Sequence, residues 1–201
     1  MHITEGVLSL PILAGSGVIA CIGTAIGLQQ LNQEKIITAG LFSAAFFVAS
    51  LIHVPIGPGN IHLILNGMVG LLLGWAAFPV ILTALVLQAV LFGFGGITAL
   101  GANTVIMAGP ALLVYYLFRN AIEQTGKKQM ICAFLAGAGS IFGSALLASV
   151  FLFASGQSYI HSATTLFWLH VPLMLVEGCV TLFAVSFLEK VQPDMLHSPC
   201  S

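Results

Sequence analysis

The two residues that begin the chain, Met1 and His2, carry the most specific metal-binding chemistry in it. A free α-amine followed at once by histidine offers three nitrogens: the amine, the peptide nitrogen of residue 2 and its imidazole. Together they close two fused rings around one ion and leave a place for a fourth donor. A plane of nitrogens suits a divalent transition metal such as nickel or copper. A Met-His start is ordinarily just a frayed terminus, so the rest of the chain decides whether it is held. The first ten residues contain no basic region and carry Glu5, so no cleavable signal is expected and Met1 should begin the mature protein.

The remaining histidines differ in promise. His53 and His62 flank a loop with two prolines and two glycines, His53-Val54-Pro55-Ile56-Gly57-Pro58-Gly59-Asn60, and either is placed to reach a metal held by the amino terminus. His62 is the better ligand candidate: it is expected to open a helix, with Asn66 one turn on and on the same face, where it can fix the imidazole from behind. His161 reads as a solvated loop residue, His170 as a packed or backbone-bonded one, and His197 as part of a polar tail. Glu177, in the middle of an apolar run, costs at least about 2.5 kcal/mol in a bilayer unless paired or hydrated, which marks it as functional or as an interhelical partner. Gln88 and Asn66 have cross-helix hydrogen bonding as their simpler role.

Composition dictates what must position these groups. Hydrophobic residues make up 59% of the 201 and charged residues 5%, with mean hydropathy +1.09, against about a quarter charged in soluble domains. The chain is therefore expected to be an all-α integral membrane protein, one domain over residues 1–201. Net charge of -1 and the lack of a basic run exclude a polyanion-binding role. Cys21, Cys132, Cys179 and Cys200 are scattered without a C-x-x-C pair and read as small apolar side chains packed between helices.

Seven apolar segments are long enough to be crossings: 7–28, 36–52, 61–78, 79–92, 104–118, 130–155 and 163–188. A glycine-rich stretch, Gly93 to Asn103, must be covered by protein or line a wet cavity. With the amino terminus outside and the carboxyl terminus inside, Lys35, Arg119, Lys127, Lys128 and Lys190 all fall on the cytoplasmic side. That orientation gathers Met1, His2, His53, His62, the glycine-rich loop and His161 on the outer face. Gly70-x-x-x-Gly74, Gly139-x-x-x-Gly143 and Ser140-x-x-x-Ser144 are small-residue stripes for close helix approach.

The start Met1 to Ser9, the Asn60-Ile61-His62-Leu63 stretch, the loop Phe94-Gly95-Gly96-Ile97-Thr98-Ala99-Leu100-Gly101-Ala102-Asn103, and the segment from His170-Val171-Pro172 to Glu177-Gly178 together resemble the CbiM/NikM family. Its members are the substrate-binding membrane components of energy-coupling-factor transporters for cobalt or nickel. The resemblance implies a seven-helix bundle with the amino terminus tucked into an outward-facing pocket. It also implies a metal held by the Met1 amine, the His2 amide and imidazole, and His62. Ni2+ or Co2+ would be the transported substrate, with no prosthetic group. Partners would be a transmembrane coupling subunit, cytoplasmic ATPase subunits and a small accessory membrane subunit. Many cobalt-type members carry Ser-His-Pro-Thr-Gly where this chain has Ile61-His62-Leu63-Ile64-Leu65, and a histidine where it has Phe94; both departures lean toward nickel.

No Gly-x-x-x-x-Gly-Lys phosphate loop is present, so ATP would be hydrolysed by another chain. Two other classes remain open on the residues alone. One is a membrane enzyme using His170 and Glu177, seven apart on one helical face, although no His-Glu-x-x-His or Gly-x-Ser-x-Gly pattern accompanies them. The other is a stand-alone ion carrier, disfavoured by the single intramembrane carboxylate and the absence of an inverted repeat.

Overall fold

The computed structural model describes residues 3–56, 59–156 and 159–197, and within these the side chains of residues 34, 53–56, 59–61 and 197 are not described. Its elements in chain order are α1 (Leu10–Gln29), α2 (Gln33–Ala49), β1 (His53–Ile56), β2 (Gly59–His62), α3 (Asn66–Leu73), a 3-10 turn (Gly74–Ala76), α4 (Ala77–Phe92), α5 (Leu100–Ile122), α6 (Lys127–Ser155), α7 (Ile160–Val191) and the single turn α8 (Asp194–His197).

Polarity runs inside out relative to a soluble bundle, as a lipid solvent demands. Ile37, Phe183 and Trp168 are largely exposed, whereas Asn66, Gln88, Ser140, Ser144, Glu177 and Thr181 are fully buried. Buried alanines such as Ala84, Ala108, Ala133, Ala136 and Ala145 bring the helices close. By length and composition Leu10–Gln29, Asn66–Phe92, Leu100–Ile122, Lys127–Ser155 and Ile160–Val191 can each cross a membrane, and Lys35–Ala49 is a shorter apolar helix.

The Asn66–Phe92 stretch is not one straight crossing. Asn66 bonds to Met107 and Ser144, whereas Trp75 and Pro79 lie against Gly27 at the far end of α1, and the Phe92 ring returns to 5.6 Å from Phe47. The chain reverses at Gly74, whose φ of 55° and ψ of -123° suit glycine. It therefore runs along the bundle seven times, with α3 a half-length pass. Residues 3–9, the loop 93–99 and the end of α6 share one end. The turn at 74–76, the end of α5 and α8 share the other, where all five basic residues also lie.

Two close approaches set α3 and α6. A methyl group at Gly70 would strike the Ala111 backbone of α5, and one at Gly137 would strike the Glu177 backbone of α7. Gly143 comes against Pro110 of α5, and the fully buried Ser140 and Ser144 meet Asn66 of α3, as expected of small-residue stripes; Gly74 instead serves the reversal and Gly139 faces open space. The cysteines also depart from expectation. Cys21 and Cys179 are exposed on the outside of the bundle and Cys132 is half-buried, all three as free thiols, while Cys200 lies outside the described residues.

The segment expected as an irregular loop is instead a two-stranded antiparallel ribbon, with His53 opposite His62 and Pro55 opposite Asn60. Proline at position 55 is tolerated because a two-stranded ribbon has edges on both sides. His62 thus ends β2 rather than opening a helix, and α3 begins four residues later. Helix α5 starts at Leu100, which moves Asn103 from the loop into its first turn, and α7 starts at Ile160, which places His161 on a helix.

Candidate metal centre

The amino-terminal stretch is fastened at three successive points. Ile3, 4% exposed, donates its peptide N–H to Asn103 Oδ1 at 2.9 Å, and its carbonyl accepts from Asn103 Nδ2 at 3.1 Å. One carboxamide thereby satisfies both peptide groups of Ile3, as a neighbouring strand would. Glu5 Oε1 accepts from the Thr98 N–H at 3.0 Å, and this bond holds the Glu5 carboxyl below its ordinary range. Gly96 (φ 83°) faces the Glu5 side chain so closely that a methyl group there would collide with it. Ser9 N–H then donates to Ser155 Oγ at 3.1 Å. Met1 and His2, the two residues ahead of this fastening, lie outside the described residues.

His62 is buried, with Nδ1 2.9 Å from the Leu63 carbonyl. A carbonyl can only accept, so Nδ1 carries the proton, and the lone pair of the neutral ring sits on Nε2. Metal-ligating histidines are commonly prepared in this way. The backbone beyond it turns sharply. Leu65 is the only non-glycine residue at positive φ among those described (57°), a conformation costing about 1–2 kcal/mol for an L-residue.

Glu177 holds this turn. Its Oε1 accepts from the Ile64 N–H and from the Leu65 N–H at 3.1 Å, and Oε2 also accepts from Leu65 at 3.1 Å. Successive N–H groups beside a left-handed residue form an anion-binding nest, here filled by a fully buried carboxylate from α7. Glu177 thus reaches the backbone two and three residues beyond His62, which fixes the direction from which that imidazole emerges.

The other residues singled out from sequence go elsewhere. Asn66 donates from Nδ2 to the Met107 carbonyl (3.1 Å) and to Ser144 Oγ (2.9 Å), and its Oδ1 accepts from Ser140 Oγ (3.0 Å). Its amide therefore ties α3 to α5 and α6, the packing role open to it from sequence. His53 is placed opposite His62 by the strand register alone. His161 is exposed and His170 is buried. The Gln88 amide finds no hydrogen-bond partner among the described residues, and no group of three or more His, Cys, Asp or Glu side chains converges among them. The Glu5 to Thr98 bond and the left-handed Leu65 have no signal in the sequence beyond the acid itself and the double glycine.

Residues 2–195 match the CbiM family, described as the cobalt uptake substrate-specific transmembrane region. A putative metal transport protein of Haemophilus influenzae is 42% identical over 200 residues, which cover 98% of this chain and 97% of that protein. A putative fused nickel transport protein, NikMN, of Archaeoglobus fulgidus is 32% identical over 98% of this chain and 68% of its own length. The crystal structure of a transition metal transporter superposes with a TM-score of 0.81 at 27% identity, covering 98% of this chain and 96% of that one.

Proposed function

The chain belongs to the CbiM family, a multi-pass component of metal transport in the prokaryotic cell membrane, and from that premise we propose that it captures Ni2+ or Co2+ with its own amino terminus. The donors are the Met1 amine, the His2 peptide nitrogen, the His2 imidazole and His62. The observation that carries this reading is the two-point hold of Asn103 on Ile3, at a buried position two residues from the chain's start. A terminus with no task is left to fray. Here a carboxamide from 100 residues away is committed to its third residue, and Glu5 adds a second tie.

The clustering of Lys35, Arg119, Lys127, Lys128 and Lys190 at the end opposite the amino terminus supports an orientation with that end cytoplasmic and the amino terminus outside. A hydrated ion then arrives from outside and exchanges water for four nitrogens. The amine and the amide must lose protons as it does so, and affinity falls in acid for that reason. The Asn103 and Glu5 ties lower the ordering cost of a chelate that would be floppy in a free peptide. The chain carries no phosphate loop, so inward release is driven by cytoplasmic ATPase subunits through a transmembrane coupling subunit, with a small accessory membrane subunit as a further partner. Energy-coupling-factor importers are assembled in this manner.

Against a membrane enzyme using His170 and Glu177, the Glu177 carboxylate is already engaged by the Ile64 and Leu65 peptides. The test is to add one residue ahead of Met1 and count metal ions in the purified protein. One ion per chain in the native protein and none in the extended one supports the chelate. Equal loading of both defeats it.

A further inference from the structure

Two buried polar side chains, Gln88 of α4 and Ser43 of α2, take no part in the metal centre. Gln88 is fully buried and Ser43 is 7% exposed. Both amide atoms of Gln88 and the hydroxyl of Ser43 find no hydrogen-bond partner among the described residues, and burying unmatched polar atoms is costly. Each departs from its kind elsewhere in the bundle. Ser16, Thr83 and Thr104 return their hydroxyls to the carbonyl one turn earlier, the usual refuge of a hydroxyl on a helix. Asn66 and Asn103 use both ends of their carboxamides.

Helix register brings the two together. Helices α2 and α4 run in the same direction, toward the end of the bundle shared by residues 3–9, and α2 packs chiefly on α4. Near that end the rings of Phe47 and Phe92 lie 5.6 Å apart. Ser43 is four residues before Phe47, and Gln88 is four before Phe92. One turn back on each helix therefore sets Ser43 beside Gln88. The ring pair spaces the helices, and at the next turn only a serine stands across from the carboxamide, which leaves room for a small molecule. Three unmatched atoms, donors and acceptors both and none of them charged, suit water, which makes about three hydrogen bonds where it is buried.

We propose that Ser43 and Gln88 hold ordered water between them, and that this water fastens α2 to α4. The Gln88 carboxamide donates to it from Nε2 and accepts from it at Oε1, and the Ser43 hydroxyl completes its hydrogen bonds. Helix α2 leads into β1, which pairs with β2 and so with His62. The water thus ties the limb that carries the ribbon to the rest of the bundle. It does so whether or not an ion is bound, and the site is independent of the metal centre read above.

The full chain in detergent, free of metal, is exposed to a short X-ray pulse, and oxidised side chains are located by mass spectrometry. Radicals born from internal water mark side chains that bulk solvent does not reach. Phe46 and Leu85, 0% and 2% exposed, lie one turn from Ser43 and Gln88 respectively, whereas Ile81, 0% exposed, lies two turns from Gln88 on the same face. Phe46 and Leu85 should be oxidised well above Ile81, and the double variant Ser43→Ala with Gln88→Met should lose that excess about fivefold or more. Labelling no greater than at Ile81 overturns the proposal, as does labelling that the double variant retains. A second reading is the sign of a stability change. Gln88→Met strips the water of a partner and leaves Ser43 unmatched, so the melting temperature should fall by about 2–4 °C. A rise, which removing an unmatched amide from a dry seam would give, overturns the proposal. Should the double variant fail to fold, the labelling of the native protein decides.

Discussion

Glu177→Gln is the substitution whose effect follows most directly from the geometry. The carboxylate takes the Ile64 and Leu65 N–H groups, and hydrogen bonds to a charged acceptor contribute about 1.5–3 kcal/mol each. Two donors thus supply about 3–6 kcal/mol, which offsets the cost of about 1–2 kcal/mol for Leu65 at positive φ. A carboxamide keeps one acceptor oxygen but no charge, and neutral bonds contribute about 0.5–1.5 kcal/mol each. The sum then barely covers the strain, and the turn is no longer held in one conformation. A loss of about 2–3 kcal/mol, if all of it reaches the His62 position, weakens Ni2+ binding about thirtyfold to a hundredfold. The assay is competition against a metal-sensitive chelator in detergent, with thermal unfolding measured alongside. Adding Leu65→Gly to the variant removes the strain and should recover melting temperature without recovering affinity, because a glycine turn does not aim His62. Affinity within twofold of the native protein in a folded Glu177→Gln variant would refute the idea that Glu177 sets the imidazole.

Asn103→Ala leaves both peptide groups of Ile3 unmatched in a buried place, at about 1–3 kcal/mol each; metal loading should fall sharply while circular dichroism of the bundle stays native. The Glu5 tie predicts a pH window. Its folded-state pKa is depressed, chiefly by the Thr98 N–H, so the stability it adds is present above its ordinary value of 4.5 and is lost as pH falls through the lower folded value. Metal release above pH 4.5 therefore belongs to the amine and amide, and Glu5→Gln should weaken binding at neutral pH and move the midpoint of that release to higher pH in step, while leaving its steepness unchanged. Gly70→Ala sets a methyl group against the Ala111 backbone, and a drop in melting temperature larger than for Gly139→Ala, which meets nothing, should be seen in parallel melts.

Much of the bundle is legible because lipid imposes a simple rule on long apolar runs. The seven segments correspond to seven passes, and the tight turn read between residues 78 and 79 is the reversal at Gly74, a few residues earlier. Ends of helices were the weaker part: α5 and α7 start three or four residues before the expected positions, since a first turn can be polar or small without ending the helix. The ribbon at 53–62 escaped because Pro55, Gly57 and Pro58 punctuate like a loop, and four-residue strands have too few positions to show alternation. Mid-helix Glu177 announced that it needed a partner. That the partner is backbone 112 and 113 residues away is a tertiary fact, and nothing in a leucine at position 65 signals a left-handed turn. Exposed Cys21 and Cys179 show the same limit, because an apolar segment does not say which of its faces meets lipid.

The claim on which the account depends is that the α-amine of Met1 is bound to the ion. Protein labelled with 15N-methionine and loaded with Cu2+, a planar-preferring probe ion, tests it by pulsed electron paramagnetic resonance. The account predicts a strong, directly bonded 15N coupling that is absent from unlabelled protein. A spectrum indifferent to the label would contradict it.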